Sequence, residues 1–181
     1  MPEPLIPGPA EDGPSREEVI AFAGRVFDAA RAGDAAALAE WLDQGLPPNM
    51  SNDKGDTLVM LAAYHGRAAA VCVLLERGAD PNRLNDRGQT PLAAAAFKGE
   101  LPVVELLLQH GALVDGTGAD GRTAFMTAAM FDRVDIMQLL LTRGANAWLR
   151  DARGITALDA ARTMGAAAAV ALLEGAASSP S

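Results

Sequence analysis

The side chains that could carry out metal or nucleophile chemistry are few and lie far apart in this sequence. Metal sites need clustered thiolate or imidazole ligands, and the chain offers only Cys72, His65 and His110. Cys72 falls inside a predicted helix, and His110 adjoins a predicted helix end, where a cation is mildly favoured. No Ser/His/Asp set can be assembled around these positions. We therefore predict structural roles for all three side chains, with no metal, no cofactor and no catalytic residue.

One glycine-rich stretch matches a phosphate-binding pattern. Gly116, Gly118 and Gly121 form a G-x-G-x-x-G, which can let a backbone approach a phosphate at a helix N-terminus. The dinucleotide fingerprint, however, follows a strand and has an acidic residue about 20 positions later. Here a predicted helix precedes the glycines, and position 138 is Gln. The stretch also lacks the acidic spacing of a calcium loop, so we predict an ordinary loop.

Composition argues against several classes of partner. Half of the net charge of -8 lies in residues 1–18, and the remainder of the chain has no basic stripe of the kind that binds nucleic acid. No segment approaches the roughly 18 unbroken apolar residues of a membrane span. The N-terminus is proline-rich and acidic, unlike a signal peptide. One cysteine is typical of a reducing compartment, so we expect a cytoplasmic protein, and the Arg and Ala content suggests a bacterial one.

The elements that would position any site follow from a period of 33 residues. A fixed step in this range indicates stacked supersecondary units. The positions that keep the step include Gly55, Gly88, Gly121 and Gly154; Thr57, Thr90, Thr123 and Thr156; and Ala62, Ala95, Ala128 and Ala161.

One unit shows what is repeated. Thr90 can cap a short alanine-rich helix over 92–98, with Pro91 at its first position and Gly99 at its end. A second helix with a broad apolar face ends before Gly111. Each unit is too small to bury its own apolar face and needs its neighbours to do so. The sequence thus predicts an all-α solenoid of helix–turn–helix units joined by short β-hairpin-like loops.

The pattern resembles the ankyrin repeat, which has this period and a T-P-L-H-x-A signature. Thr90 to Ala95 match all of the signature except its histidine, which none of the copies has. The resemblance implies an N-capping repeat, three full repeats and a C-capping repeat inside a single domain of residues 15–177. Residues 1–14 and 178–181 are predicted to be disordered. The predicted repeats span 19–51, 52–84, 85–117, 118–150 and 151–177.

The first repeat has its own signals. Ser15 and Glu18 read as a capping box that opens a longer helix, and Trp41 is predicted to lie in the core. One apolar stripe is expected along that helix. Its residues are Val19, Ile20, Phe22, Ala23, Val26, Phe27 and Ala30.

Two surfaces are candidates for binding a partner. The resemblance implies that the residues ending each first helix face a concave groove, and here they are rich in aromatic residues and methionine. Two interpretations remain open: such a row can be a binding surface, or it can pack between repeats as core. The residues concerned are Tyr64, His65, Phe97, Lys98, Met130, Phe131, Thr163 and Met164.

The loop tips are the second surface. The family uses such tips for partner contacts, and Lys54, Arg87 and Arg122 are the candidates here. Acidic and basic residues alternate along the tips, and an ordinary solvated face is the other interpretation of this pattern. Trp148 in a loop end could anchor a partner or cover the C-terminal cap.

The function that these patterns favour is a non-catalytic protein-binding module that acts as a monomer. The alternative is an accessory or stabilising subunit for an enzyme encoded nearby, and self-association through the apolar row is a variant. An enzyme is the weakest class, because the chain has two histidines and no cofactor motif.

Overall fold

The computed structural model describes residues 13–177, which form ten α-helices arranged in five pairs. The ends predicted to be disordered, 1–14 and 178–181, lie outside the described residues apart from Gly13 and Pro14. The predicted all-α solenoid is confirmed. The helices are α1 (Arg16–Ala32), α2 (Ala35–Asp43), α3 (Leu58–Tyr64), α4 (Ala68–Glu76), α5 (Pro91–Lys98), α6 (Leu101–Gln109), α7 (Ala124–Met130), α8 (Val134–Thr142), α9 (Ala157–Met164) and α10 (Ala167–Ala177).

The helices begin where the capping residues predict. The hydroxyl of Thr90 accepts a hydrogen bond from the Ala93 N–H at 3.0 Å, and Pro91 occupies the first turn. Thr57, Thr123 and Thr156 cap α3, α7 and α9 in the same way. These bonds satisfy N–H groups that have no partner within their own helix. The capping box of Ser15 and Glu18 at α1 is also present.

Short hairpin-like tips join the helix pairs. Within the described chain these tips contain isolated antiparallel bridges, such as the one between Thr117 and Thr123. The described tips contain no continuous strand. Each tip is bound to the next through the backbone: the Asp86 N–H donates to the Lys54 carbonyl and the Ala152 N–H donates to the Asp120 carbonyl. The tips therefore form a ladder along one edge of the stack.

The core runs without interruption through the described repeats. First helices pack on first helices, from α1 through α3, α5 and α7 to α9, and second helices pack on second helices. The repeated alanines Ala62, Ala95, Ala128 and Ala161 are fully buried, where small side chains allow helices to approach closely. Trp41 is buried as predicted.

The apolar stripe predicted on α1 is only partly correct. Val26 and Ala30 are buried, but Val19 and Ile20 are 50% and 61% exposed. The reason is the difference in length between α1, with 17 residues, and its neighbour α3, with seven. Residues 25–31 of α1 are the ones in register with α3, so Val19 and Ile20 precede the part of α1 that α3 covers.

An aspartate occupies a turn position where other repeats have glycine. Asp132 has a φ of +56°, a left-handed conformation that Asp tolerates better than most side chains. At Gly99, the equivalent position one repeat earlier, an added Cβ would press on the side chain of Arg133. In the repeat that follows Asp132, the position equivalent to Arg133 is occupied by the small Ala166. The carboxylate of Asp132 accepts a hydrogen bond from the Ala169 N–H at 2.7 Å and so caps α10 from the preceding repeat.

We expect Asp132→Ala to lower the free energy of unfolding by about 1–2 kcal/mol, because it removes this cap and places alanine at a positive φ. Urea denaturation followed by circular dichroism measures the change. Asp132→Asn is the matched control: it keeps an acceptor oxygen and tolerates the backbone, so its effect should stay within about 0.5 kcal/mol. Equal losses in the two variants would contradict the capping role.

Candidate functional site

The candidate site is the concave face between the first helices and the loop tips. Three adjoining depressions follow this groove from the tip of residues 52–56 to α9. Tyr64, Phe97 and Met130 line it from the helix side, and Lys54, Arg87 and Arg122 line it from the tips. The structure thus brings both predicted surfaces together on one face.

An aromatic row runs along the floor of the groove. The rings of Tyr64 and Phe97 are stacked with centroids 6.3 Å apart, and Phe97 meets Phe131 edge-on at 4.7 Å. Tyr64 and Phe97 remain 39% and 37% exposed, while Met130 and Phe131 are half-buried. The rings contact one another across repeats and still present surface to the groove. Burial as ordinary core, the second interpretation of the row, does not describe Tyr64 and Phe97.

Cations surround the N-terminal end of this row. The Nζ of Lys98 lies 5.0 Å from the centroid of the Tyr64 ring, at the distance of a cation–π contact. The His65 ring meets the Tyr64 ring edge-on at 5.3 Å. Partial burial lowers the pKa of His65, and the nearby charges of Arg67, Arg31 and Lys98 lower it further. Burial first, and the basic environment second, therefore hold His65 towards its neutral form.

The tip cations lie beside acidic side chains. Arg87 Nη2 is 3.8 Å from an oxygen of the buried Asp56. Arg122 Nε is 3.4 Å from Asp120 and 3.6 Å from the buried Asp151. The pKa of Asp151 lies below its usual range, chiefly because the carboxylate accepts the Ile155 N–H. The alternating charges of the sequence are thus an ordered set, in which buried carboxylates hold arginines at the groove.

The residues that shape the tips were not identified in the sequence analysis. The Asn52 side-chain oxygen accepts the Lys54 and Asp56 N–H groups, both at 2.9 Å. Asn85 and Asp151 make the equivalent pairs of bonds one and three repeats later. The sequence does carry a signal for them, because a polar residue recurs at this position every 33 residues. Gly118 is the exception in the series. In that tip Asp120 accepts the Arg122 N–H instead.

The residues first considered for chemistry lie apart from one another. The half-buried thiol of Cys72 donates to Glu76 at 3.4 Å, and burial raises its pKa. His110 Nδ1 is 2.9 Å from the carbonyl oxygen of Leu106 at the end of α6. Within residues 13–177, no three His, Cys, Asp or Glu side chains are grouped so that they could hold a metal ion.

Other sequence features have plain structural outcomes. Gly116, Gly118 and Gly121 lie in the turn and tip between α6 and α7, so the predicted loop is confirmed. Trp148 is exposed in a loop end outside the groove. None of the helices in the described part of the chain combines the length and apolar character needed to cross a membrane.

Comparison with known proteins agrees with this architecture. A family model described as three copies of the ankyrin repeat matches residues 26–117, and a single-repeat model matches residues 120–152. A Pseudomonas aeruginosa protein named as an ankyrin repeat protein is 52% identical over 48 residues. That alignment covers 26% of this chain and 28% of the relative, so the chain matches little more than a quarter of the relative's length. The repeat period, the stacked helix pairs and these matches show that the chain belongs to the ankyrin-repeat family.

Proposed function

We propose that this chain is a non-catalytic binding module that holds a partner protein in its concave groove. Ankyrin repeats are generally protein–protein interaction modules, and the family is typically non-catalytic. The observation that carries the proposal is the row of Tyr64, Phe97 and Phe131, in which the first two rings are exposed and the third is half-buried. The proposed contact residues are Tyr64, His65, Phe97, Lys98, Met130 and Phe131 on the floor, and Lys54, Arg87 and Arg122 on the tips.

The row suits binding because its rings are already ordered. Tyr and Phe are enriched in the buried centres of protein interfaces, where they supply large contact areas. Here each ring contacts the next, so little side-chain freedom remains to be lost when a partner packs on the groove. The capped helices beneath the rings hold their spacing.

The proposal also takes the chain to act as a monomer in the cytoplasm. A net charge of -8 opposes the approach of two copies. One cysteine, half-buried and away from the groove, is compatible with a reducing compartment.

Affinity capture with wild type and with Tyr64→Ala/Phe97→Ala/Phe131→Ala tests the groove. We expect the variant to lose the partner, because truncating one central aromatic residue of an interface often costs about 2 kcal/mol or more, roughly 30-fold in affinity. The variant should remain folded with only a moderately lower melting temperature, since the three rings are partly exposed and lie outside the fully buried core.

The matched control is Val19→Ala/Ile20→Ala/Leu113→Ala, which truncates three exposed apolar side chains outside the groove. It should retain the partner. A partner held equally by wild type and by both variants would eliminate the groove as the binding site. A sharp fall in the melting temperature of the groove variant would show that the rings act mainly as core.

A further inference from the structure

The loop tips separate charges that alternate along the sequence. The basic side chains that line the groove are Arg31, Lys54, Arg87, Arg122 and Arg153. Two acidic residues of the same tips, Asp53 and Asp86, do not line it. The Asp86 carboxylate instead lies beside Gly55 of the neighbouring tip, and the Asp86 N–H donates to the Lys54 carbonyl. The fold therefore places the tip cations in the lining of the groove and leaves these two acids out of it.

The carboxylates that do line the groove are largely committed to the protein itself. They belong to Asp56, Asp120 and Asp151. Asp56 is buried and accepts the side-chain amide of Asn85 at 2.8 Å. Asp151 is buried and accepts two backbone N–H groups of its own tip.

The arginines beside these buried acids face solvent. The side chains of Arg87 and Arg153 are 66% and 68% exposed, at 3.8 Å and 3.4 Å from carboxylates that are themselves almost fully buried. Arg31 and Arg122 form further ion pairs with Asp28 and Asp120. At Arg87 and Arg153, a partner approaching the groove would therefore meet a guanidinium group first, with the buried carboxylate behind it.

The N-terminal end of the groove is also surrounded by positively charged side chains. The charged groups that act on His65 are Arg67, Arg31 and Lys98, all of them basic. Lys54 and Arg87 line the depression beside Tyr64 and His65. Because the whole chain carries -8, this basic lining runs against the overall composition and reflects how the tips fold.

We infer that the groove takes an acidic segment of a partner protein that bears an aromatic or large aliphatic side chain. The apolar side chain packs on Tyr64 and Phe97, and the flanking carboxylates pair with Lys54 and Arg87. This inference rests on the proposed function of the groove as a binding site. Pairing at exposed arginines makes the association sensitive to salt and makes partner choice depend on charge.

A randomised peptide library selected on the full-length protein is the probe. We expect the recovered peptides to be enriched in Asp and Glu around one aromatic or large aliphatic residue. Binding of the tightest peptide, measured by fluorescence anisotropy, should fall by about tenfold or more in Lys54→Glu/Arg87→Glu and should weaken as salt is raised. Lys54→Gln/Arg87→Gln, a milder change beside the buried Asp56, should give a smaller loss.

Arg16→Glu/Arg83→Glu makes the same change in charge at exposed residues outside the groove, and it should leave the affinity close to that of wild type. Recovery of basic or uncharged peptides whose binding is lost in Tyr64→Ala/Phe97→Ala would overturn the acidic partner but keep the groove as a site. If no recovered peptide depends on Tyr64 and Phe97, the proposed function fails as well.

Two further outcomes would replace the partner with another occupant. If sedimentation shows self-association that Tyr64→Ala/Phe97→Ala abolishes, the occupant is a second copy of the chain. A synthetic peptide of residues 1–12 could displace the labelled selected peptide as well as the unlabelled selected peptide does. That result would make the chain's own acidic segment the occupant of the groove. Either result overturns the inference of a separate partner.

Discussion

Phe125→Ala is expected to lower the free energy of unfolding by about 3–5 kcal/mol, the usual cost of removing a buried phenylalanine ring. Phe125 is the largest fully buried side chain among the described residues. It lies in α7, which packs against α5, α8 and α9. Since each repeat depends on its neighbours for burial, a cavity here weakens the contacts on both sides. The loss is a large fraction of the total stability of a typical domain, which is about 5–15 kcal/mol.

Phe131→Ala is the control for this prediction. The substitution removes the same ring from a half-buried position in the groove, six residues further along the chain. We expect it to cost less than about half as much, because the free-energy penalty follows the apolar surface removed from water. Urea denaturation followed by circular dichroism compares the two variants. Equal losses would mean that Phe131 is as much a part of the core as Phe125.

Gly121→Ala is expected to cost about 2–4 kcal/mol, from a strained backbone combined with a lost hydrogen bond and a displaced tip. Gly121 has a φ of +76°, and an added Cβ would lie 2.8 Å from the backbone nitrogen of Ala152. That nitrogen donates to the Asp120 carbonyl and joins two tips. The neighbouring backbone would have to move, and with it the ladder that positions Arg122 and Arg153.

Gly154→Ala is the control that distinguishes backbone strain from a steric clash of the added Cβ. Gly154 occupies the same position one repeat later, with a φ of +80° and no atom close to an added Cβ. Its substitution should cost only about 1 kcal/mol, the penalty of a left-handed alanine. Thermal or urea denaturation of the two variants measures the difference. If both cost the same, the contact between adjacent tips does not limit this position.

Much of the fold could be predicted because the determining signals are local and repeated. Thr90, Pro91 and Gly99 mark the start and end of one helix through their own hydrogen-bonding and backbone preferences. The step of 33 residues then predicts which residues of successive repeats face one another. For this reason Trp41 was correctly predicted to lie in the core.

The candidate site was predicted less completely, because the exposure of a side chain at the end of a helix depends on which residues of the neighbouring repeat pack against it. The pattern identified Tyr64, Phe97 and Phe131 but left open whether they were core or surface. The tip residues Asn52, Asn85 and Asp151 share the step of 33, yet their role appears only when their side chains are seen to accept backbone N–H groups. The same uncertainty caused the error at Val19 and Ile20.

The sequence by itself determined that this chain is a stack of helix pairs and in which order the pairs stack, since capping and periodic burial are properties of each repeat. Only the tertiary structure decided that an aromatic row stays open to a groove and that the tip cations turn towards it. It also showed that Asp132 caps the helix of the next repeat. These features arise from side chains about 30 or more residues apart, whose exposure and charge environment depend on the shape of the neighbouring repeat.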